Sequence, residues 1–382
     1  MLIGALACLP LVIWAYLVLG RGGFWLARER DDLDQPADPA AWPSVTAVVP
    51  ARDEADVIAR SIGSLLAQDY PGPFQVILVD DNSADATANI ARTLPGSAAL
   101  TVLQGAPLPA GWTGKLWAMN QGVAAAVGTA TPPKYLLLTD ADIAHAPDTL
   151  RRLTARAEAH GLVLTSLMAK LSCANFAERL LIPAFVYFFD MLYPFAWVND
   201  PRSRVAGAAG GVMLARTEAL AAAGGVAAIR TAIIDDCTLG ALMKRQGPIW
   251  LGLTERAHSL RPYESVGEIG RMVARSAYAQ LGYSPLVLAG AILGMVATYL
   301  AAPAIALFVA GPARFAGLAA WGLMALSFQP MLRFYRRSPL WGLALPLIGA
   351  LYTAFTVQSA IDVWRGRGGV WKGRAQALAG RA

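Results

Sequence analysis

Leu136, Leu137, Leu138, Thr139, Asp140, Ala141 and Asp142 run an apolar stretch straight into two carboxylates one residue apart. A Leu-rich run without polar alternation reads as a strand of a parallel sheet, buried on both faces. Its carboxylates then emerge at the strand's carboxyl end, where open α/β sheets bind their ligands. Carboxylates that close repel one another unless a cation sits between them, and hard oxygen donors suit Mg2+ or Mn2+ carrying a substrate diphosphate. The plainer reading is a strand that ends in a helix-capping Asp.

The flanking sequence repeats the pattern. Residues 45–49 are rich in β-branched side chains and stop at Pro50; a polar turn at 52–56 leads into 57–67, where Val57, Ile58, Ile62, Leu65 and Leu66 recur at helical spacing. Residues 76–79 are the next expected strand, ended by Asp80, Asp81, Asn82 and Ser83 before a helix at 84–94. Further strands are expected at 100–103 and 212–215. This alternation predicts an α/β fold with a parallel, right-handed layer of the nucleotide-binding type. Three polar clusters, at 51–54, 80–83 and 140–142, then share one sheet edge and line one cleft, whereas each alone reads as a cap.

Three other stretches carry candidate chemistry. In Gly111, Trp112, Thr113, Gly114, Lys115, glycines beside a Lys let amides and an ammonium approach a phosphate, although the spacing is not that of a Walker loop and alone reads as a turn with a solvated Lys. Ile233, Ile234, Asp235, Asp236 set a carboxylate pair before a helix; such a residue is a cap, or, partly desolvated in a cleft, a general base with a raised pKa. Residues 206–211 are all Gly or Ala, which permits close approach of an acceptor or simply a tight turn. His145, His160 and His258 have no ligand spacing and read as structural or solvated.

The chain has 382 residues, 56% hydrophobic and only 15% charged, which sets it apart from ordinary soluble proteins. The apolar excess sits at the ends. Residues 1–19 and 285–309 are uncharged and long enough to span a bilayer; 340–361 is a third stretch of full length and 315–331 a shorter one. Arg21, Arg28 and Arg30 follow the first segment, the reverse of a secretory signal, so it reads as a retained anchor with its carboxyl end in the cytoplasm. The expected layout is an anchor at 1–20, an α/β domain at 31–284, spans or re-entrant segments at 285–361 and a basic tail at 362–382. Three full spans would put that tail outside, against its Arg365, Arg367, Lys372 and Arg374, so either 315–331 or 340–361 is expected not to cross simply. Net charge is +6, and the basic residues gather near the apolar segments, which points to anionic lipid headgroups and away from nucleic acid. Residues 176–197 are aromatic and aliphatic but hold Glu178, Arg179, Pro183 and Asp190, and read as an interfacial helix or a packed core helix. Three scattered cysteines give no disulfide framework or metal spacing.

In order, VVPARDEADVI, VDDNSAD, GWTGKLWAMNQG, TDADI and IDDCTLG resemble the motifs of inverting family 2 glycosyltransferases with a GT-A fold, over about residues 45–275. The resemblance implies that Ala51, Arg52, Glu54, Asp80 and Asp81 hold the nucleotide, that Asp140 and Asp142 take the metal and sugar diphosphate, and that Lys115 faces the diphosphate. It implies Asp236 as catalytic base. The QxxRW motif of many processive members is reduced to Arg275 within Met272–Ser276, which argues against a polymer synthase. With RMVARSAYAQLGYSPL and a WKGR tail, the set is most similar to hopanoid-associated glycosyltransferases (HpnB). What this implies is a multi-pass protein of the bacterial inner membrane with its catalytic domain facing the cytoplasm. It would move a sugar from a UDP-sugar to a hopanoid or related lipid with Mg2+ or Mn2+. The alternatives are a polyprenyl-phosphate glycosyltransferase, whose acceptor needs no base, a nucleotidyltransferase, which would need no late Asp, and a non-catalytic membrane adaptor.

Overall fold

The computed structural model describes residues 2–367, 370, 371, 374 and 375. The chain divides into an α/β unit, built from Glu29–Ser172 and Trp197–Pro262, and a helical unit, built from Met1–Arg28, Cys173–Ala196 and Tyr263–Gly368. Most of the expected basic tail, Lys372 included, lies outside the described residues.

The α/β unit carries β1 (Val45–Ala51), β2 (Phe74–Asp80), β3 (Leu100–Gln104), β4 (Tyr135–Thr139), β5 (Ile143–His145), β6 (Leu164–Lys170), β7 (Val212–Arg216) and β8 (Ile249–Ser259). They form one sheet in the order β3-β2-β1-β4-β7-β6-β8-β5. β1 pairs in parallel with both β2 and β4, with Ala51 opposite Asp80, so the three strands deliver their carboxyl ends to one edge, as the polar clusters required. The other half departs from the expected parallel layer: β7 runs antiparallel to β4 and β6, and β5 antiparallel to β8. Between β6 and β7 the chain leaves this unit after Ser172, runs through helix Phe176–Leu192 and re-enters at Trp197.

Burial explains the local structure. All seven residues of β1 and all five of β4 are buried, and Ile58, Ile62 and Leu65 of helix Ile58–Leu66 join them in one core. Each such aliphatic contributes about 1.5–3 kcal/mol relative to exposure. Helix Gly114–Val127 lies directly on the sheet: a Cβ at Gly122 would stand 2.5 Å from Val48 Cγ1 and 2.9 Å from Val79 Cγ2, so only glycine permits the approach.

In the helical unit, Pro285–Phe308, Pro312–Phe334 and Pro339–Trp364 are each long and apolar enough to cross a membrane. Only 17% of the first is buried within the protein, leaving Leu286, Leu293 and Phe308 bare. The segment expected as an anchor forms helix Leu2–Gly20, 19 residues without a charge. Within residues 176–197, read as an interfacial or a packed core helix, helix Phe176–Leu192 is largely buried in the helical unit, with Phe176 and Leu192 exposed at its ends. Phe188 is buried, with its ring centroid 4.9 Å from Tyr352 and 5.4 Å from Tyr299, and the buried Tyr187 hydroxyl meets Ser327 Oγ at 2.7 Å. Aromatic density here fills a helix–helix core.

Candidate active site

The first two clusters are laced into one wall. Asp81 N–H donates to Ala51 O at 2.8 Å, Asp53 N–H to Ser83 Oγ at 3.0 Å and Glu54 N–H to Thr87 Oγ1 at 2.8 Å. Arg52 donates to the carbonyls of Asp81 and Asn82. Asp53 and Asn82 take positive φ in these turns, where short polar side chains with local partners are tolerated. Asp81 is fully buried with Arg52 Nη1 3.9 Å from its Oδ2. Asp80 accepts from the Ser83 N–H and hydroxyl, and so caps its own turn.

The third cluster meets two protein cations. Lys115 stands in the first turn of helix Gly114–Val127, capped by Thr113 accepting from Leu116 N–H. Its ammonium lies 2.8 Å from Asp140 Oδ1 and 3.0 Å from Asp235 Oδ2. Burial alone would lower the Lys115 pKa, but Asp140 and Asp235 outweigh it and hold the ammonium charged. Arg261, just after β8, sets Nε 3.1 Å from Asp142 Oδ2 and contacts the buried Glu54 with Nη2.

Asp235 and Asp236 open helix Asp235–Lys244. Gly210 N–H donates to Asp236 Oδ2 at 3.0 Å and Cys237 N–H to Oδ1 at 2.7 Å. Burial first, then the charge of Asp235, raise the Asp236 pKa to about 6, while Lys115 and the two N–H groups oppose the rise. The two residues thereby separate: Asp235 is engaged by an ammonium, and Asp236 is a carboxyl that changes charge near neutrality. The Gly/Ala run 206–211 is what positions Asp236. Ser166 Oγ accepts from Ala209 N–H at 2.8 Å, and Thr139 Oγ1 donates to Gly211 O at 2.6 Å. At Gly240 a Cβ would stand 2.7 Å from the Gly207 carbonyl carbon, so helix and run touch backbone to backbone. His145, buried and lowered to about 4 by desolvation, stays neutral against Thr139; His160 and His258 are exposed.

Ala51, Arg52, Glu54, Asp140, Asp142, Lys115 and Asp236 are therefore brought to one edge of the α/β unit. Arg275 is exposed on helix Val266–Gln280 of the helical unit. Arg261 follows a strand without a clean apolar signature and has no motif of its own, and Asp235 joins the cluster through its pairing with Lys115. Among the described residues no three His, Cys, Asp or Glu side chains converge as a metal cage. The donor set of Asp140 and Asp142 instead fits a hard cation that shares its remaining positions with substrate phosphate oxygens and water.

Residues 46–222 match the family described as Glycosyl transferase family 2. The succinoglycan biosynthesis protein ExoO of Rhizobium meliloti (strain 1021) is 38% identical over 120 residues, which is 31% of this chain and 31% of the relative's own length. The fold is shared with a mannosyltransferase from Pyrobaculum calidifontis, solved with GDP-Man and Mn2+, at a TM-score of 0.55 and 19% identity, over 95% of this chain and 99% of that one. Residues 46–222 are thus similar to a family 2 glycosyltransferase domain, and the α/β unit is built on a GT-A fold.

Proposed function

We propose that the protein is a membrane-bound inverting glycosyltransferase that moves a sugar from a nucleoside diphosphate donor, a UDP-sugar, to the hydroxyl of a hopanoid or related isoprenoid lipid. The observation that carries the reading is Asp236, a carboxyl raised to about 6 beside an ammonium that links Asp235 to Asp140. At neutral pH Asp236 is ionised and takes the proton of the acceptor hydroxyl as that oxygen attacks the anomeric carbon. The new C–O bond forms as the bond to the diphosphate oxygen breaks, the pair of electrons leaves with the nucleoside diphosphate, and the anomeric centre inverts in one displacement. Lys115 supplies fixed positive charge on the leaving-group side, and the wall of Ala51, Arg52, Glu54, Asp80 and Asp81 seats the nucleotide. Asp140 and Asp142 would hold Mg2+ or Mn2+, which when bound neutralises charge on the diphosphate. The apolar segments support a lipid acceptor and a place in the bacterial inner membrane, with the α/β unit in the cytoplasm beside its water-soluble donor.

Incubation of the full chain in detergent with radiolabelled nucleotide sugars and membrane lipid extract tests the reading. Label transferred to a lipid is expected, and transfer to water-soluble products alone would overturn the lipid acceptor. Calorimetry of UDP binding with MnCl2 should show affinity abolished by EDTA; affinity unchanged in the chelator would remove the cation role of Asp140 and Asp142.

A further inference from the structure

We infer that Arg261 is a diphosphate-binding residue whose donor-free resting place is on Asp142 and Glu54, so that cation and nucleotide bind together rather than in turn. The inference rests on Asp142 being a cation ligand. Leu260 N–H donates to Asp142 O at 2.7 Å, which fixes the chain just before Arg261 against the turn that carries the carboxylates. From there one arm of the guanidinium reaches Asp142 at 3.1 Å and another touches Glu54. Glu54 is 6% exposed and its own N–H is tied to Thr87, so the arginine bridges two turns that β1 and β4 bring to the same edge.

A guanidinium is permanently charged, and its planar fork matches a carboxylate or a phosphate equally well. A divalent ion approaching Asp142 on its own must enter beside that charge, on an oxygen already in use. A diphosphate changes the balance: it offers the fork a second bidentate partner and releases Asp142 to the cation. One third of the Arg261 side chain faces solvent, so the fork can reach a ligand arriving at the edge. The coupling is reciprocal, each ligand raising affinity for the other.

Electron paramagnetic resonance titration of MnCl2 into the full chain in detergent, alone and with UDP or GDP, reads this directly. Wild type should bind MnCl2 at least tenfold more tightly with the nucleotide it accepts than without one. Arg261→Gln should bind MnCl2 alone at least tenfold more tightly than wild type and lose most of the nucleotide enhancement. Arg261→Lys keeps the charge without the fork and should fall between; if the Gln variant fails to fold, tighter MnCl2 binding by the Lys variant supports the inference and wild-type binding overturns it. Folded Arg261→Gln with MnCl2 affinity at or below wild type overturns it as well. Wild type that takes neither nucleotide even with MnCl2 present would instead bring down the donor-site reading itself.

Discussion

Asp235 and Asp236 are neighbours with opposite fates, and the difference lies in what each touches. Asp236 accepts from the backbone N–H groups of Gly210 and Cys237, whereas Asp235 meets the Lys115 ammonium at 3.0 Å. Asp236→Asn keeps size and capping ability but removes the proton acceptor, so turnover should fall by roughly 100-fold or more while nucleotide affinity survives. Near-normal turnover would transfer the reading to a phosphate acceptor, already ionised. The groups that set the Asp236 pKa are its own burial, Asp235, Lys115, and the N–H groups of Gly210 and Cys237. Because it acts ionised, kcat/KM should fall as pH drops below about 6. Asp235→Asn removes a charge that raises this value, so its acid limb should move to lower pH, with a milder loss of turnover. An upward shift would show that Asp235 does not act through its charge.

Among the elements, β1, β2 and β4 were readable because each is a short apolar run closed by a turn signal, and their shared edge followed from alternation with helices. β6 and β8 lack a clean apolar run: β6 mixes in Thr, Ser and Lys, and β8 carries Glu255 and Arg256, whose partners Lys170, Asp148 and Asp31 lie far away in sequence. Arg261 was lost with β8. Composition alone does not separate a largely buried helix such as Phe176–Leu192 from an interfacial one. The start of Phe176–Leu192 is fixed by Glu178, fully buried, which accepts from Ala174 N–H at 2.7 Å and Asn175 N–H at 3.2 Å with one oxygen and from Tyr263 N–H at 2.8 Å with the other. One carboxylate thus joins the two points where the chain enters the helical unit, after Ser172 and after Pro262. Glu178→Gln turns an amide NH2 toward backbone donors and leaves one unmet, at about 1–3 kcal/mol. The melting temperature in detergent should fall measurably, while Glu178→Asp, which keeps both oxygens on a shorter arm, should lose less. An unchanged melting temperature for the Gln variant would remove the clamp.

The clash between three spans and a basic tail inside bears on how the apolar segments pack within the helical unit. Tyr278, Leu288 and Ala360 share one buried cluster, and the Tyr278 and Trp364 rings lie 5.8 Å apart. The end of the third apolar segment therefore stands beside the start of the first. Between them the chain doubles back: Trp321 Nε1 donates to Leu343 O at 3.2 Å, Gln329 Nε2 to Pro339 O at 3.1 Å, and a Cβ at Gly342 would stand 2.7 Å from Ala325 O. Residues 339–344 thus retrace 321–329 before helix Leu345–Trp364 returns toward Leu288. We propose two crossings followed by a re-entrant segment, an arrangement that would put Arg333, Arg336, Arg337, Arg365 and Arg367 on one side, in accord with the positive-inside preference. In sealed inside-out vesicles, with Cys8, Cys173 and Cys237 replaced by Ser, Arg275→Cys and Arg367→Cys should both react with an impermeant thiol reagent. Val309→Cys, in the turn between the first two segments, should react only after the vesicles are opened. Arg367→Cys behaving like Val309→Cys would mean that the third segment crosses after all.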